Sequence, residues 1–304
     1  MSPAAGPVPR FGRVLTAMIT PFDSGGGLDL DGAARLAGWL ADHGSDGLVV
    51  AGSTGEATML SDAEKADLWR AVAEAVTIPV LAGTSTADTA HSVELTECAE
   101  KAGVAGVLAV TPYYSRPPQA GIEAHFRAMA ASTSLPVVLY DIPVRSGRRI
   151  YPDLILRLAE VDNIVGLKDA AGDPAGTAQL VSRLPEDFDV YSGDDSITLP
   201  LLAVGALGTI SVESHWAGVL VGRMISAFVS GDVAEARRLD ALLHPSHNFQ
   251  TGELTPNPIP TKAVLRVLGL PAGQCRLPLG PAPAGLEDEA RGLLAQLGGD
   301  GPVG

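Results

Sequence analysis

The chain repeats one phrase. A short, unbroken apolar run is followed by a longer segment whose apolar residues recur every three or four positions. Residues 14–20 read as a strand. Residues 28–43 read as a helix, with Leu30, Ala34, Leu36, Trp39 and Leu40 on one face and Gly44 as its stop. The spacing predicts further strands at 46–51, 79–82, 107–111, 136–142, 164–170, 189–192 and 208–212. Helices are predicted between and after them at 61–76, 86–101, 120–131, 152–160, 174–183, 197–204 and 216–230. Ser61 and Glu64 form a capping-box pair at the start of one helix, and Pro152 sits in the first turn of another.

The strands are continuous apolar runs, as strands buried on both faces should be. Alternation with helices implies parallel pairing, because antiparallel neighbours need no crossover. Eight such units predict an α/β fold, a closed (β/α)8 TIM barrel. A doubly wound open sheet would carry a GxGxxG turn or a phosphate loop after its first strand, and neither is present. Three more helical segments, 233–243, 260–268 and 286–297, are joined by proline-rich connections. They read as a C-terminal helical extension, dividing the chain into a catalytic barrel over 11–232 and an extension over 233–304. The first ten residues read as a loose leader with no signal peptide's apolar centre.

With 304 residues, 46% of them hydrophobic, the chain can bury a large core. A formal net charge of −14 argues against nucleic acid and anionic membrane surfaces as partners. Cys98 and Cys275 stand far apart and outside any CxxC, which points to a reducing, cytoplasmic setting. Segment 216–230 is too short, and too interrupted by Arg223, to span a bilayer. The six histidines form no ligand-like spacing, so no metal is expected. There is no GxSxG elbow for a serine hydrolase. His244 and His247 read as polar groups on a helix end.

Barrel chemistry sits at the C-terminal ends of strands and in the loops that follow. The sixth strand there contributes Lys168, in Asn163-Ile164-Val165-Gly166-Leu167-Lys168-Asp169-Ala170. The other three lysines, Lys65, Lys101 and Lys262, fall in helical or turn surroundings, so only Lys168 is expected to lose its charge by burial and serve as a nucleophile. The bland alternative is an ion pair with Asp169. The second strand leads into Gly52-Ser53-Thr54-Gly55-Glu56, two hydroxyls between glycines that suit a small carboxylate or simply form a turn. The fourth leads into Tyr113-Tyr114-Ser115-Arg116-Pro117, and the fifth into Tyr140-Asp141-Ile142-Pro143-Val144-Arg145. The seventh ends at Gly193-Asp194-Asp195, a ligand loop or a cap for the next helix, and the eighth at Ile210 and Glu213. A dry amine, a phenol and an anion pocket at one end of a barrel are what Schiff-base chemistry on a 2-oxo acid needs.

Gly52-Ser53-Thr54-Gly55-Glu56, Tyr140-Asp141-Ile142-Pro143 and Gly166-Leu167-Lys168-Asp169 resemble the class I pyruvate-dependent aldolases typified by dihydrodipicolinate synthase and N-acetylneuraminate lyase. The resemblance covers about 14–281. It implies that Lys168 forms the Schiff base with pyruvate and that Tyr140 donates and accepts protons. It implies a relay completed by Ser53 and by Tyr114 from a neighbouring subunit. It implies a pyruvate carboxylate held by Thr54, with the main chain of Ile210 lining the same pocket, and no cofactor. Gly193 joins the expected substrate-binding residues. A homotetramer built as a dimer of dimers is implied. Tyr113 to Pro117, Gly121, His125-Phe126, Arg145 and Asn257-Pro258-Ile259-Pro260-Thr261-Lys262 are similar to the synthase branch, which implies condensation of pyruvate with L-aspartate 4-semialdehyde, its carboxylate bound by Arg145. Ser53 departs from that branch's usual Thr, which keeps cleavage of a sugar acid or another 4-hydroxy-2-oxo acid open. A non-catalytic barrel that binds an oxo acid is the rival of another class.

Overall fold

The computed structural model describes residues 8–298. The loose-leader expectation for residues 1–7 therefore lies outside the described residues, as does the extension beyond 298. Eight strands close into a parallel barrel in chain order, β1 (Val14–Ala17), β2 (Gly47–Val50), β3 (Val80–Gly83), β4 (Gly106–Val110), β5 (Val137–Asp141), β6 (Ile164–Asp169), β7 (Asp189–Ser192) and β8 (Gly208–Ser211). The first and last strands pair with Leu15 opposite Ile210, which removes every free sheet edge. Around them run α1 (Leu30–Asp42), α2 (Asp62–Ala75), α3 (Thr89–Lys101), α4 (Gln119–Ala131), α5 (Pro143–Ser146), α6 (Pro152–Leu158), α7 (Pro174–Val181), α8 (Thr198–Ala203) and α9 (Ser214–Val229).

Local chemistry sets several boundaries. Asp29 caps α1 by accepting from Gly32 N, and Gly44 turns the chain away at φ +97°. Ser61 and Glu64 make both bonds of the capping box on α2. The first strand stops at Ala17, three residues before the expected end, because 18–20 leave the ladder for the mouth of the barrel. The short helix α5 was not legible as a helix; Pro143 starts it and Gly147 ends it at φ +73°.

The barrel interior holds Leu15, Ala17, Val49, Leu81, Leu108, Val138, Tyr140, Tyr191 and Ile210, with Phe11 against the strand starts. A second apolar layer lies between strands and surrounding helices, from Met18 and Leu36 round to Phe188 and Leu201. The interior is thus dry and filled, and polar groups that survive in it must be partnered or functional.

The C-terminal helices are α10 (Val233–Gln250), α11 (Ile259–Val267) and α12 (Leu286–Leu297). They share one core with α9, built from Trp216, Leu220, Met224, Leu239, Leu243, Val264 and Leu293. The sequence ends α10 at 243, before Pro245; the helix instead runs through that proline to Gln250. The missing N–H costs one hydrogen bond. Burial of Leu243, Ser246, His247 and Gln250 against the barrel offsets it. Among the described residues, no helix is long and apolar enough to cross a membrane.

Candidate active site

Side chains alternate along β6, and the alternation separates its two charged neighbours. Asp169 points outward, where Thr177 Oγ1 donates to it at 2.6 Å and Ala171 N at 2.9 Å. Lys168 points inward and is 5% exposed. The Lys168–Asp169 ion pair therefore does not form. Tyr140 lies opposite Lys168 in the β5–β6 register, and the Lys168 Nζ stands 4.3 Å from the centre of its ring. Neither the ammonium nor the phenol has a hydrogen-bond partner among the described residues. Burial lowers the Lys168 pKa from 10.5 to about 8; the Asp195 carboxylate pulls it back up, and Arg145 pushes the same way as burial. Burial holds the Tyr140 phenol well above its usual range, so it keeps its proton.

Gly193 makes room for this lysine. A Cβ there would lie 2.9 Å from Lys168 Cγ and 3.1 Å from its Cε. The Ala170 Cβ would lie 3.0 Å away as well, so any side chain there would crowd the lysine.

The loop after β2 brings the hydroxyls. Ala51 and Glu56 both adopt left-handed backbone at φ +56°, folding 52–55 into a tight turn. Thr54 is buried and its Oγ1 accepts from Asn257 Nδ2 at 2.8 Å, while Ser53 is exposed. Glu56 is anchored from behind by Lys262 and by Arg276 N. This corrects the expectation that only Lys168 is buried. Lys262 is fully buried, its amine paired with Glu56 and lying 4.1 Å from the centre of the Phe22 ring, and Lys65 is buried as well. What sets Lys168 apart is the missing partner: burial lowers the pKa of both amines, but at Lys262 the Glu56 carboxylate opposes the shift from within the ion pair.

A cavity of about 840 Å3 opens at this end of the barrel, lined by Ser53, Tyr113, Tyr140, Arg145 and Asn257 among others. Lys168, Thr54, Gly193 and Ile210 are not among the residues lining it; Ile210 is a buried interior residue of β8. Arg145 projects from α5, exposed and with no carboxylate partner among the described residues, its Nη2 donating to the main-chain oxygen of Asn257 at 3.4 Å. Tyr114 is not brought to Tyr140 within one chain. It is 94% exposed, on left-handed backbone at φ +71°, and of the adjacent pair it is Tyr113 that lines the cavity.

The structure accounts for Glu213 and corrects His247. His247 is a buried group, not a polar helix end, with Nε2 3.1 Å from Glu213 Oε1. Asp195 Oδ2 accepts from Val212 N at 2.9 Å, Glu213 N at 3.0 Å and Gln250 Nε2 at 3.0 Å. One carboxylate thus ties the exit of β8 to α10, beside the loop that carries Gly193. Burial, then the nearby Asp195, raises Glu213 to about 8. Burial works to lower His247, but the Glu213 carboxyl more than offsets it. Sequence spacing had no means of finding this cluster, since Asp195, Glu213, His247 and Gln250 come from three separate segments. Asn257 stood in a recognisable proline-rich motif, but nothing in the chain pointed it at Thr54.

The Dihydrodipicolinate synthetase family matches residues 10–297. The 4-hydroxy-tetrahydrodipicolinate synthase of Moorella thermoacetica is 50% identical over 95% of this chain and 99% of its own. That of Acidothermus cellulolyticus is 52% identical over 93% of this chain and 91% of its own. Among solved structures, a dihydrodipicolinate synthase of Bacillus anthracis superposes with a TM-score of 0.91 at 41% identity, covering 95% of this chain and 99% of the other.

Proposed function

The chain belongs to the dihydrodipicolinate synthetase family, and from that premise we propose that it is a lyase with 4-hydroxy-tetrahydrodipicolinate synthase activity. The family is enzymatic, and the activity joins pyruvate to L-aspartate 4-semialdehyde on the route to diaminopimelate and lysine. The observation that carries the reading is the buried, unpartnered Lys168 beside Tyr140 at the C-terminal end of the barrel.

Lys168 Nζ attacks the C2 ketone of pyruvate, and loss of water leaves an iminium. The iminium draws electrons from the methyl carbon, so a proton leaves and an enamine forms. The enamine carbon adds to the aldehyde, whose oxygen takes a proton. The amino group of the second substrate then displaces Lys168 from C2, closing the ring and freeing the enzyme. Tyr140 handles the protons, because its phenol is protonated, unpartnered and adjacent to the amine. Thr54 and the Ile210 main chain take the pyruvate carboxylate. Arg145 takes that of the aldehyde, as a guanidinium on the cavity wall suits a bidentate contact.

Ser53 and Tyr114 complete the relay. Tyr114 comes from a second copy of the chain, a role that fits an aromatic side chain held almost wholly in solvent. The assembly is then a homotetramer, a dimer of dimers. The free thiols Cys98 and Cys275 fit a cytoplasmic setting.

Borohydride trapping with pyruvate, followed by peptide mass measurement, is the test. A reduced pyruvate adduct on the Lys168 peptide is expected, and its absence refutes the Schiff base. A subsequent screen of acceptors should favour the semialdehyde. Preference for a sugar acid would leave the Schiff base and remove the synthase activity.

A further inference from the structure

The C-terminal segment reaches the cavity through Asn257, Pro278 and Leu279, and of these Asn257 is the one hydrogen-bonded to Thr54. Asn257 lines the cavity, and three of its polar atoms are engaged. Its Nδ2 donates to Thr54 Oγ1 at 2.8 Å. Its Oδ1 accepts from Thr261 Oγ1 at 3.0 Å. Its main-chain oxygen accepts from Arg145 Nη2 at 3.4 Å. Thr261 is fully buried in the first turn of α11, so the amide is held by a rigid element.

The consequence for Thr54 follows from what a hydroxyl can do. It has one proton and two lone pairs. With a lone pair occupied by the Asn257 amide, the Thr54 proton is directed elsewhere, and no other hydrogen bond of that side chain exists among the described residues. A buried, oriented O–H donor with nothing to donate to is built for an incoming anion. The contact to Arg145 is made by the main chain and does not depend on the amide. We propose that Asn257 is a positioning residue whose side-chain amide aims the Thr54 hydroxyl at the carboxylate of the first substrate. This deepens the Schiff-base reading above and rests on it.

Double-mutant cycles test it, read as KM for each substrate, kcat, and the rate of pyruvate trapping at Lys168. The wild type serves as the control for the underlying chemistry. If it forms no adduct, the Schiff-base reading fails whatever Asn257 does. Given an adduct, Asn257→Ala is expected to raise the KM for pyruvate by about tenfold, the worth of one oriented hydrogen bond to a charged group. In a Thr54→Val background the same substitution should change that KM by less than about twofold. The KM for the aldehyde should change by less than about twofold, because the main-chain oxygen that accepts from Arg145 survives the substitution. Thr261→Val, which removes only the hydroxyl holding the amide, should give the same pattern at smaller amplitude, and it carries the test if Asn257→Ala does not fold. Equal effects in wild-type and Thr54→Val backgrounds would overturn the proposal. So would a fall in kcat with both KM values unchanged, the mark of a merely structural asparagine.

Discussion

Lys168 offers the sharpest quantitative test, because its burial sets a pH at which the amine becomes free. With its pKa lowered from 10.5 to about 8, a fall of about 2.5, roughly one amine in ten is uncharged at pH 7. At the ordinary value the figure is about one in three thousand, so the site gains roughly 300-fold in nucleophile. The rate of pyruvate-adduct formation, followed by rapid borohydride quenching and mass measurement, should rise about tenfold per pH unit up to pH about 8 and then level off. The same burial has a thermodynamic face. A depressed lysine pKa costs the folded state stability at every pH below about 8, and the cost disappears as pH rises toward 10.5. It amounts to about 3 kcal/mol at most. Lys168→Met should therefore melt above the wild type at pH 6 to 7, with the gap closing near pH 10. An adduct rate that climbs steadily to pH 10, or a methionine variant whose advantage is the same at every pH, would refute the reasoning.

Gly193→Ala should slow adduct formation by about tenfold or more while costing only about 1–3 kcal/mol of stability, since the new methyl meets Lys168 Cγ at 2.9 Å; trapping kinetics and a melting curve separate the two effects. Glu213→Gln tests the buried cluster with Asp195, His247 and Asp240 around it. A carboxyl raised from 4.5 to about 8 supports the fold below pH 4.5, and that support is lost as pH climbs through 8. The glutamine variant should match the wild type near pH 4.5 and outlast it thermally at pH 8.5; parallel curves would count against a buried neutral Glu213. Glu56→Ala leaves Lys262 fully buried without its anion and should cost about 3–5 kcal/mol in denaturant unfolding. Adding Lys262→Met to it should recover most of the loss.

The sequence by itself determined the architecture. Eight apolar runs separated by amphipathic segments leave few other ways to bury strands on both faces, while the choice between a lone Lys168 and a pair with Asp169 waited for the folded strand. Strand ends then marked Tyr140, Lys168 and the Ser53–Thr54 loop as neighbours, because a barrel gathers all its C-terminal edges in one place. What the chain alone left undecided was every contact between distant segments. Lys262 reads as a helix-start residue, yet it is the more deeply buried amine, and only its pairing with Glu56 explains why it keeps a partner while Lys168 has none. Pro245 reads as a stop, yet α10 continues because packing against the barrel outweighs one lost hydrogen bond, and that continuation carries His247 to Glu213 and Gln250 to Asp195. Asn257 reaches Thr54 across 203 positions of sequence. Local propensity and periodicity act over a turn or two of chain, whereas the state of a buried charge depends on whichever groups the closed fold sets against it.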